Sequence, residues 1–226
     1  MYFVQRVLRL VNGFLKSYGS SGIKKRLWNE EYSGDKWNFA DDTIGDCVYS
    51  YLERHSANGS ILDLGCGAGN TANELPANAY QNYVGVDVSE TALHKAMKRS
   101  ENNGRADKNR FEQGDFLTYI PDRQFDVILF RESMYHVPLG RVKPMLDRYS
   151  HYLRDGGVFI VRMNTTGSLL GRTKAMAGVM ETEFDVLEKR RYGEAGPTVI
   201  VFRPRLPVAN RAGDCFEGQS SRVGHA

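Results

Sequence analysis

The chain has 226 residues, 41% hydrophobic and 25% charged, with a formal net charge of +3, enough apolar material for one ordinary domain with a single core. Residues 1–28 hold Arg6, Arg9, Lys16, Lys24, Lys25 and Arg26 and no acid, so they carry +6 and the remainder nets −3 (+3 minus +6). A body of that sign lacks the clustered cations that displace counterions from nucleic acid, which excludes a broad nucleic-acid surface.

Val4, Val7, Leu8, Val11, Phe14 and Leu15 recur at helical spacing, with Arg6, Arg9 and Lys16 between them. The pattern predicts a basic amphipathic helix over residues 1–18. It lacks the continuous apolar core and small-residue cleavage site of a secretory signal. Docking on the protein's own body is preferred, because the apolar face is modest, and contact with an anionic membrane surface is the alternative. Gly19-Ser20-Ser21-Gly22 reads as a flexible break, so residues 1–26 form a helix and linker. Residues 27–45 are aromatic and acidic and precede a helix expected over about 42–56.

The next stretch, Ile61-Leu62-Asp63-Leu64-Gly65-Cys66-Gly67-Ala68-Gly69-Asn70, reads as a short buried strand that breaks into glycines and continues as a helix. Alternate glycines permit backbone angles closed to other residues and let a ligand lie against bare main chain. The G-x-G-x-G spacing is not the G-x-G-x-x-G of dinucleotide-binding turns. Tyr83 to Ser89 forms a second apolar strand ending in Asp87, 24 positions after Asp63. An acid at that strand tip suits a ribose, whose vicinal hydroxyls donate to the carboxylate. Ser89 is a natural N-cap for the helix that follows.

Phe111 to Phe116 reads as a third strand ending in a Gly-Asp turn, and Phe125 to Phe130 as a fourth, nearly all apolar as a central parallel strand should be. Arg131-Glu132-Ser133-Met134-Tyr135-His136 follows, then a helix to about Tyr152, and Leu153–Arg162 supplies a turn and a fifth strand. Phe184–Lys189 and Thr198–Arg203 are expected to pair as an antiparallel hairpin, while residues 205–226 form a polar tail. The order predicts an α/β fold with one doubly wound, mostly parallel seven-stranded sheet, helices on both faces and a C-terminal hairpin. The three cysteines, Cys47, Cys66 and Cys215, do not make a disulfide framework, so a reducing cytoplasm is expected.

DLGCGAGN followed by VGVDVSETAL resembles motif I and the second-strand motif of the class I S-adenosylmethionine-dependent methyltransferases. The resemblance spans roughly residues 27–204 and implies S-adenosylmethionine as cofactor, with S-adenosylhomocysteine as product. It implies that Gly65, Gly67 and Gly69 shape the cofactor loop, supported by Asp63. Asp87, with Val88 beside it, would hold the ribose, and Asp115 with Phe116 the adenine, although Gly-Asp is also ordinary turn chemistry. Tyr32 and Trp37 resemble lid residues, with a role as plain sheet-edge anchors equally open. Arg131 is placed at the cofactor.

His136 is the first candidate for a catalytic base, because its ordinary pKa suits proton removal near neutrality; a hydrogen bond to a helix end is its structural alternative. Glu132 is a candidate base, a substrate-amine ligand or a ligand for the cofactor's amino group. Tyr135 is a candidate acceptor-pocket residue. RESMYH is not the Pro-Pro element of adenine or glutamine methylation, no Pro-Cys pair offers a cytosine-type nucleophile, and no acidic cluster suggests a metal. The expected acceptor is therefore an O or N atom of a small metabolite. A lipid- or glycan-linked acceptor and a non-catalytic cofactor-binding subunit are the alternatives. Arg172 and Lys174 would meet an anionic substrate or merely cover a helix face.

Overall fold

The runs at 61–64, 83–86 and 125–130 are nearly all apolar, Asp63 and Asp126 excepted, which suits strands covered on both sides. A computed structural model describes residues 2–34, 43–165, 167–194 and 196–205. Its strands are β1 (Ser60–Leu64), β2 (Asn82–Asp87), β3 (Asn109–Gln113), β4 (Phe125–Arg131), β5 (Leu153–Asn164), β6 (Asp185–Arg191) and β7 (Pro197–Arg203). The helices are α1 (Tyr2–Tyr18), α2 (Ser21–Ser33), α3 (Val48–Ser56), α4 (Asn70–Glu74), α5 (Glu90–Asn102), α6 (Leu139–Ser150) and α7 (Leu170–Glu183).

The strands form one sheet in the order β3-β2-β1-β4-β5-β7-β6. Pairing is parallel from β3 through β5, and β7 runs antiparallel between β5 and β6. The chain goes from β1 outward to β3 and then returns to the other side of β1 with β4. That reversal opens a crevice at the carboxyl ends of β1 and β4, where open α/β sheets bind ligands.

Alternating side chains divide the core into two layers. Leu62, Val84, Ile128 and Phe159 pack on one face with Val142, Leu146 and Tyr149 of α6 and Met176 and Met180 of α7. Ile61, Tyr83, Val127 and Ile160 pack on the other with Val48, Tyr51 and Leu52 of α3. The hairpin end is held by aromatic packing, with Phe159 stacked on Phe202 at 5.1 Å between centroids and Phe184 edge-on to Phe202 at 5.3 Å.

The N-terminal region departs from expectation. Gly19–Gly22 is a tight corner rather than a flexible break. The Gly19 amide donates to the Leu15 carbonyl at 2.8 Å, and the Ser20 hydroxyl caps α2 by accepting from Ile23 N–H at 3.5 Å. The boundary expected at residue 26 falls inside α2. Nor does α1 bury its apolar stripe: Val7, Leu10, Val11, Phe14 and Tyr18 are 41–68% exposed. Its inward edge instead carries buried Ser17 and the Lys16 ammonium, which pairs with Glu31 at 2.6 Å. The expected C-terminal tail beyond residue 205 lies outside the described residues.

Phe159→Ala removes a fully buried ring from the β5–β7 seam. It is expected to lower unfolding free energy by about 3–5 kcal/mol, read from the urea midpoint; a loss within experimental error would show that the aromatic seam does not hold the hairpin.

Candidate active site

The site starts where β1 ends. Gly65, Gly67 and Gly69 have φ of +85°, +54° and +74°, the left-handed region that side chains disfavour. Space imposes the same choice: a Cβ on Gly65 would lie 2.5 Å from Ser133 Cβ, and one on Gly67 would lie 2.6 Å from Tyr32 Oη. The turn is pinned to β2, because Gly65 and Cys66 N–H both donate to the Val86 carbonyl, at 2.8 and 3.1 Å. Gly67 N–H donates to Asp87 Oδ2 at 2.9 Å, while Asp87 Oδ1 accepts from Ser89 N–H at 2.8 Å. Burial raises the Asp87 carboxyl above its ordinary range, and the Ser89, Gly67 and Val88 amides oppose that rise.

Beneath this loop lies a cavity of about 470 Å³, a size suited to a small ligand. Asp63 lines it, fully buried. Tyr83 Oη donates to Asp63 Oδ2 at 2.6 Å, but Oδ1 has no partner among the described residues. Desolvation raises the Asp63 pKa to about 6, against the Tyr83 hydrogen bond, the Arg131 charge and the Thr71 hydroxyl. A buried carboxylate oxygen without a donor is expensive, and a cationic ligand group beside it would relieve that cost.

The strand ends beside β1 contribute charge. Arg131 of β4 and Arg162 of β5 are register partners, and both engage Asp46 Oδ2, at 2.9 and 3.3 Å. Desolvation would raise Asp46, but the two guanidiniums and the Val48 amide prevail and hold it below its ordinary value. Arg162 also pairs with Glu132, whose backbone is left-handed at φ +56°. A glutamate in that conformation costs on the order of 1–3 kcal/mol. It is fixed from several sides: its N–H donates to the Arg162 carbonyl at 2.9 Å, and its carboxylate accepts from Tyr135 Oη at 3.0 Å.

The helix α2 covers the cavity mouth. Lys24 makes a 2.7 Å ion pair with Asp115, both side chains 8% exposed, and Ser21 Oγ donates to the same carboxylate at 3.2 Å. Asn29 ties α2 to α5, accepting from Ser89 Oγ at 2.8 Å and from Thr91 N–H at 3.3 Å. Trp28 stands edge-on to His136 with centroids 5.0 Å apart, and the Lys16 ammonium sits 3.7 Å above the Trp28 ring. Burial is the main cause that lowers the His136 pKa to about 3, and Lys16, Arg172 and Lys24 add to it against Glu31.

Tyr32, Asp63, Gly65, Gly67, Asp87, Val88, Asp115, Phe116, Arg131, Glu132, Tyr135 and His136 all line this one cavity. Gly69 does not; it packs on Ala96 of α5, where a Cβ would come within 2.7 Å of the Ala96 Cβ. Trp37 lies outside the described residues. One expectation needs correction: the ordinary pKa of His136 is lost, mainly because the imidazole is buried, with the neighbouring cations adding to the effect. The Asp115 carboxylate, expected at the adenine, is paired with Lys24. Arg172 faces the backbone, donating to the Val137 carbonyl at 3.0 Å, and Lys174 is exposed. Sequence reasoning passed over Lys16, Lys24, Trp28, Asp46 and Arg162, all of which line the cavity. Arg162 carried a signal, since a cation ending an otherwise apolar parallel strand lies at the ligand-binding edge.

Comparison with known proteins fits this architecture. Residues 61–157 match the family model described as a methyltransferase domain. The chain is 30% identical over 148 residues to the methyltransferase GfsG of Streptomyces halstedii, covering 65% of this chain and 52% of that protein. It is 31% identical over 100 residues to the sterol 24-C-methyltransferase ERG6B of Gibberella zeae, covering 44% of this chain and 26% of that one. The chain thus spans about half or less of the curated relatives it matches. Its fold resembles the N-methyltransferase NodS of Bradyrhizobium japonicum, solved with S-adenosylhomocysteine, at a TM-score of 0.63 and 18% identity, covering 80% of this chain and 97% of that one. Residues 61–157 thus resemble a methyltransferase domain, on a fold like that of NodS.

The Asp63 environment makes a prediction that needs no ligand. Its folded pKa of about 6 exceeds the ordinary 3.8, so the folded state binds the extra proton. Its contribution to stability is therefore greatest at low pH and falls as pH rises from about 4 to 6. Asp63→Asn should flatten that part of a melting-temperature profile; an unchanged profile would mean that Asp63 ionises normally.

Proposed function

We propose that this chain transfers a methyl group from S-adenosylmethionine to an O or N atom of a small-molecule acceptor. The observation that carries the proposal is the unpartnered Asp63 Oδ1 in a glycine-walled cavity, a suitable receiver for the cofactor's ammonium. Asp87 would take the ribose hydroxyls while keeping its bonds to the loop. Phe116 would pack against adenine, and Asp115 would receive the adenine amino group once Lys24 yields or shares the carboxylate. When bound, the cofactor supplies an electrophilic methyl group on a positively charged sulfur.

Placement is the main catalytic task, because the sulfonium is already a good leaving group. His136 stays neutral, and its free lone pair accepts a hydrogen bond from the acceptor's O–H or N–H. Burial, with the cations around it, makes lasting protonation unfavourable, so it orients the acceptor rather than storing its proton. Glu132 and Tyr135, joined by their own hydrogen bond, form the adjacent wall, and Arg162 fixes the glutamate. The sterol methyltransferase named above supports a small organic acceptor, although its name assigns the methyl group to carbon.

Calorimetric titration with S-adenosylmethionine and S-adenosylhomocysteine should give micromolar binding, and NADH should give none. Asp87→Ala should weaken both affinities by roughly tenfold or more, as expected when a charged hydrogen-bond partner is lost. Absence of binding by the intact chain would overturn the cofactor assignment.

Once an acceptor is in hand, His136→Gln should lower kcat by roughly 10–100-fold through lost orientation, with cofactor affinity retained. The wild-type pH–kcat profile should lack an acid limb centred near the ordinary histidine value of 6.5, because the His136 pKa lies near 3. Such a limb, abolished by the substitution, would restore His136 as a conventional base.

A further inference from the structure

The first helix carries its apolar residues on the outside. Val7, Leu10, Val11, Phe14 and Tyr18 fall within an arc of roughly 100° at 3.6 residues per turn. All five are exposed, Leu10 by 68% and Phe14 by 61%. Phe14 and Tyr18 stack on one another at 4.8 Å, so the stripe is a continuous ridge. Lys16 projects from the opposite side and is engaged with Glu31 and Trp28. Leu8, Asn12 and Gly13 are exposed as well, and α1 meets the body through Lys16 and Ser17 near its C-terminal end, leaving the apolar ridge in solvent. An exposed apolar ridge of this kind marks a contact surface.

We propose that α1 seats this protein on an anionic phospholipid bilayer, with the Val7–Tyr18 ridge entering the boundary between headgroups and acyl chains. Charge selects this occupant. The first 28 residues carry six cations and no acid. Lys16, Lys24 and Lys25 are neutralised within the fold by Glu31, Asp115 and Glu90. Arg6 and Arg9 belong to the ridge helix, and Arg26 to the helix packed beside it. An anionic surface complements this excess, whereas a second copy would bring the same positive segment against itself. Among the described residues no helix is long and apolar enough to cross a membrane, so the contact is peripheral. Lys16 lines the catalytic cavity from this same helix. If the methyl-transfer reading holds, a bilayer-seated α1 brings the cavity to the source of an amphiphilic acceptor.

The test is sedimentation of the full chain with sucrose-loaded vesicles of phosphatidylcholine, with and without phosphatidylglycerol, in the absence of cofactor. Binding to the anionic vesicles that weakens as salt rises is the expected result. Leu10→Ser combined with Phe14→Ser should reduce the partition coefficient by at least roughly tenfold, since two buried apolar side chains are lost. Both residues are exposed, so melting temperature and S-adenosylhomocysteine affinity should not change. No vesicle binding, or equal binding by the double variant, would overturn the proposal. A wild-type dimer dispersed by the double variant, without vesicle binding, would assign the ridge to self-association instead. Because no cofactor is present, failure here leaves the methyltransferase reading standing.

Discussion

The attachment of the glycine turn to the second strand is the constraint on which the site depends. Two consecutive amides, Gly65 and Cys66, converge on the Val86 carbonyl, and the Gly67 amide reaches the Asp87 carboxylate. These bonds hold the loop in a left-handed course that leaves its backbone bare toward the cavity. They also fix Asp87, because one carboxylate oxygen binds the loop and the other binds the start of α5. Loop shape and acid position are thus one feature, and a side chain at Gly67 would strain both.

Around this rigid centre the polar groups are arranged in two ways. On the sheet side, Arg131, Arg162, Asp46 and Glu132 form a closed charge network at the ends of β4 and β5. Mutual compensation lets four ionised groups stand in a partly buried place at a tolerable desolvation cost. On the cap side, α2 is secured by the Lys24–Asp115 pair and by Asn29 on α5. A ligand entering this cavity meets a preformed floor but must negotiate with the cap, since the Asp115 carboxylate is already engaged. The strained backbone of Glu132 lies at the junction of floor and acceptor wall, where such conformations tend to serve function.

The sheet and the loop were legible in the sequence because their causes are local. Runs that are nearly all apolar specify central strands, alternate glycines specify the turn, and a strand-terminal acid marks the ligand edge. The hairpin was expected from the family resemblance rather than from a local pattern, and β6 and β7 do pair antiparallel. The cap was not legible in the same way. Periodicity gave α1 an apolar stripe, but only tertiary structure says which way the stripe faces. The Lys24–Asp115 pair joins residues 91 positions apart, and no local pattern announces it. His136 shows the same limit. Its position beside the site followed from strand order, whereas its pKa is lowered mainly by burial and further by Lys16, Arg172 and Lys24, which arrive from three other helices.

The central claim is that the cofactor lies beneath α2, with Asp63 Oδ1 receiving its ammonium and Asp87 its ribose. A crystal structure of the complex with S-adenosylhomocysteine tests it most directly. The account predicts the ligand in the cavity lined by Gly65, Gly67 and Tyr32, its ammonium within hydrogen-bond distance of the Asp63 oxygen that now lacks a partner. A ligand bound elsewhere, or one whose ammonium leaves Asp63 Oδ1 still unpaired, would contradict it.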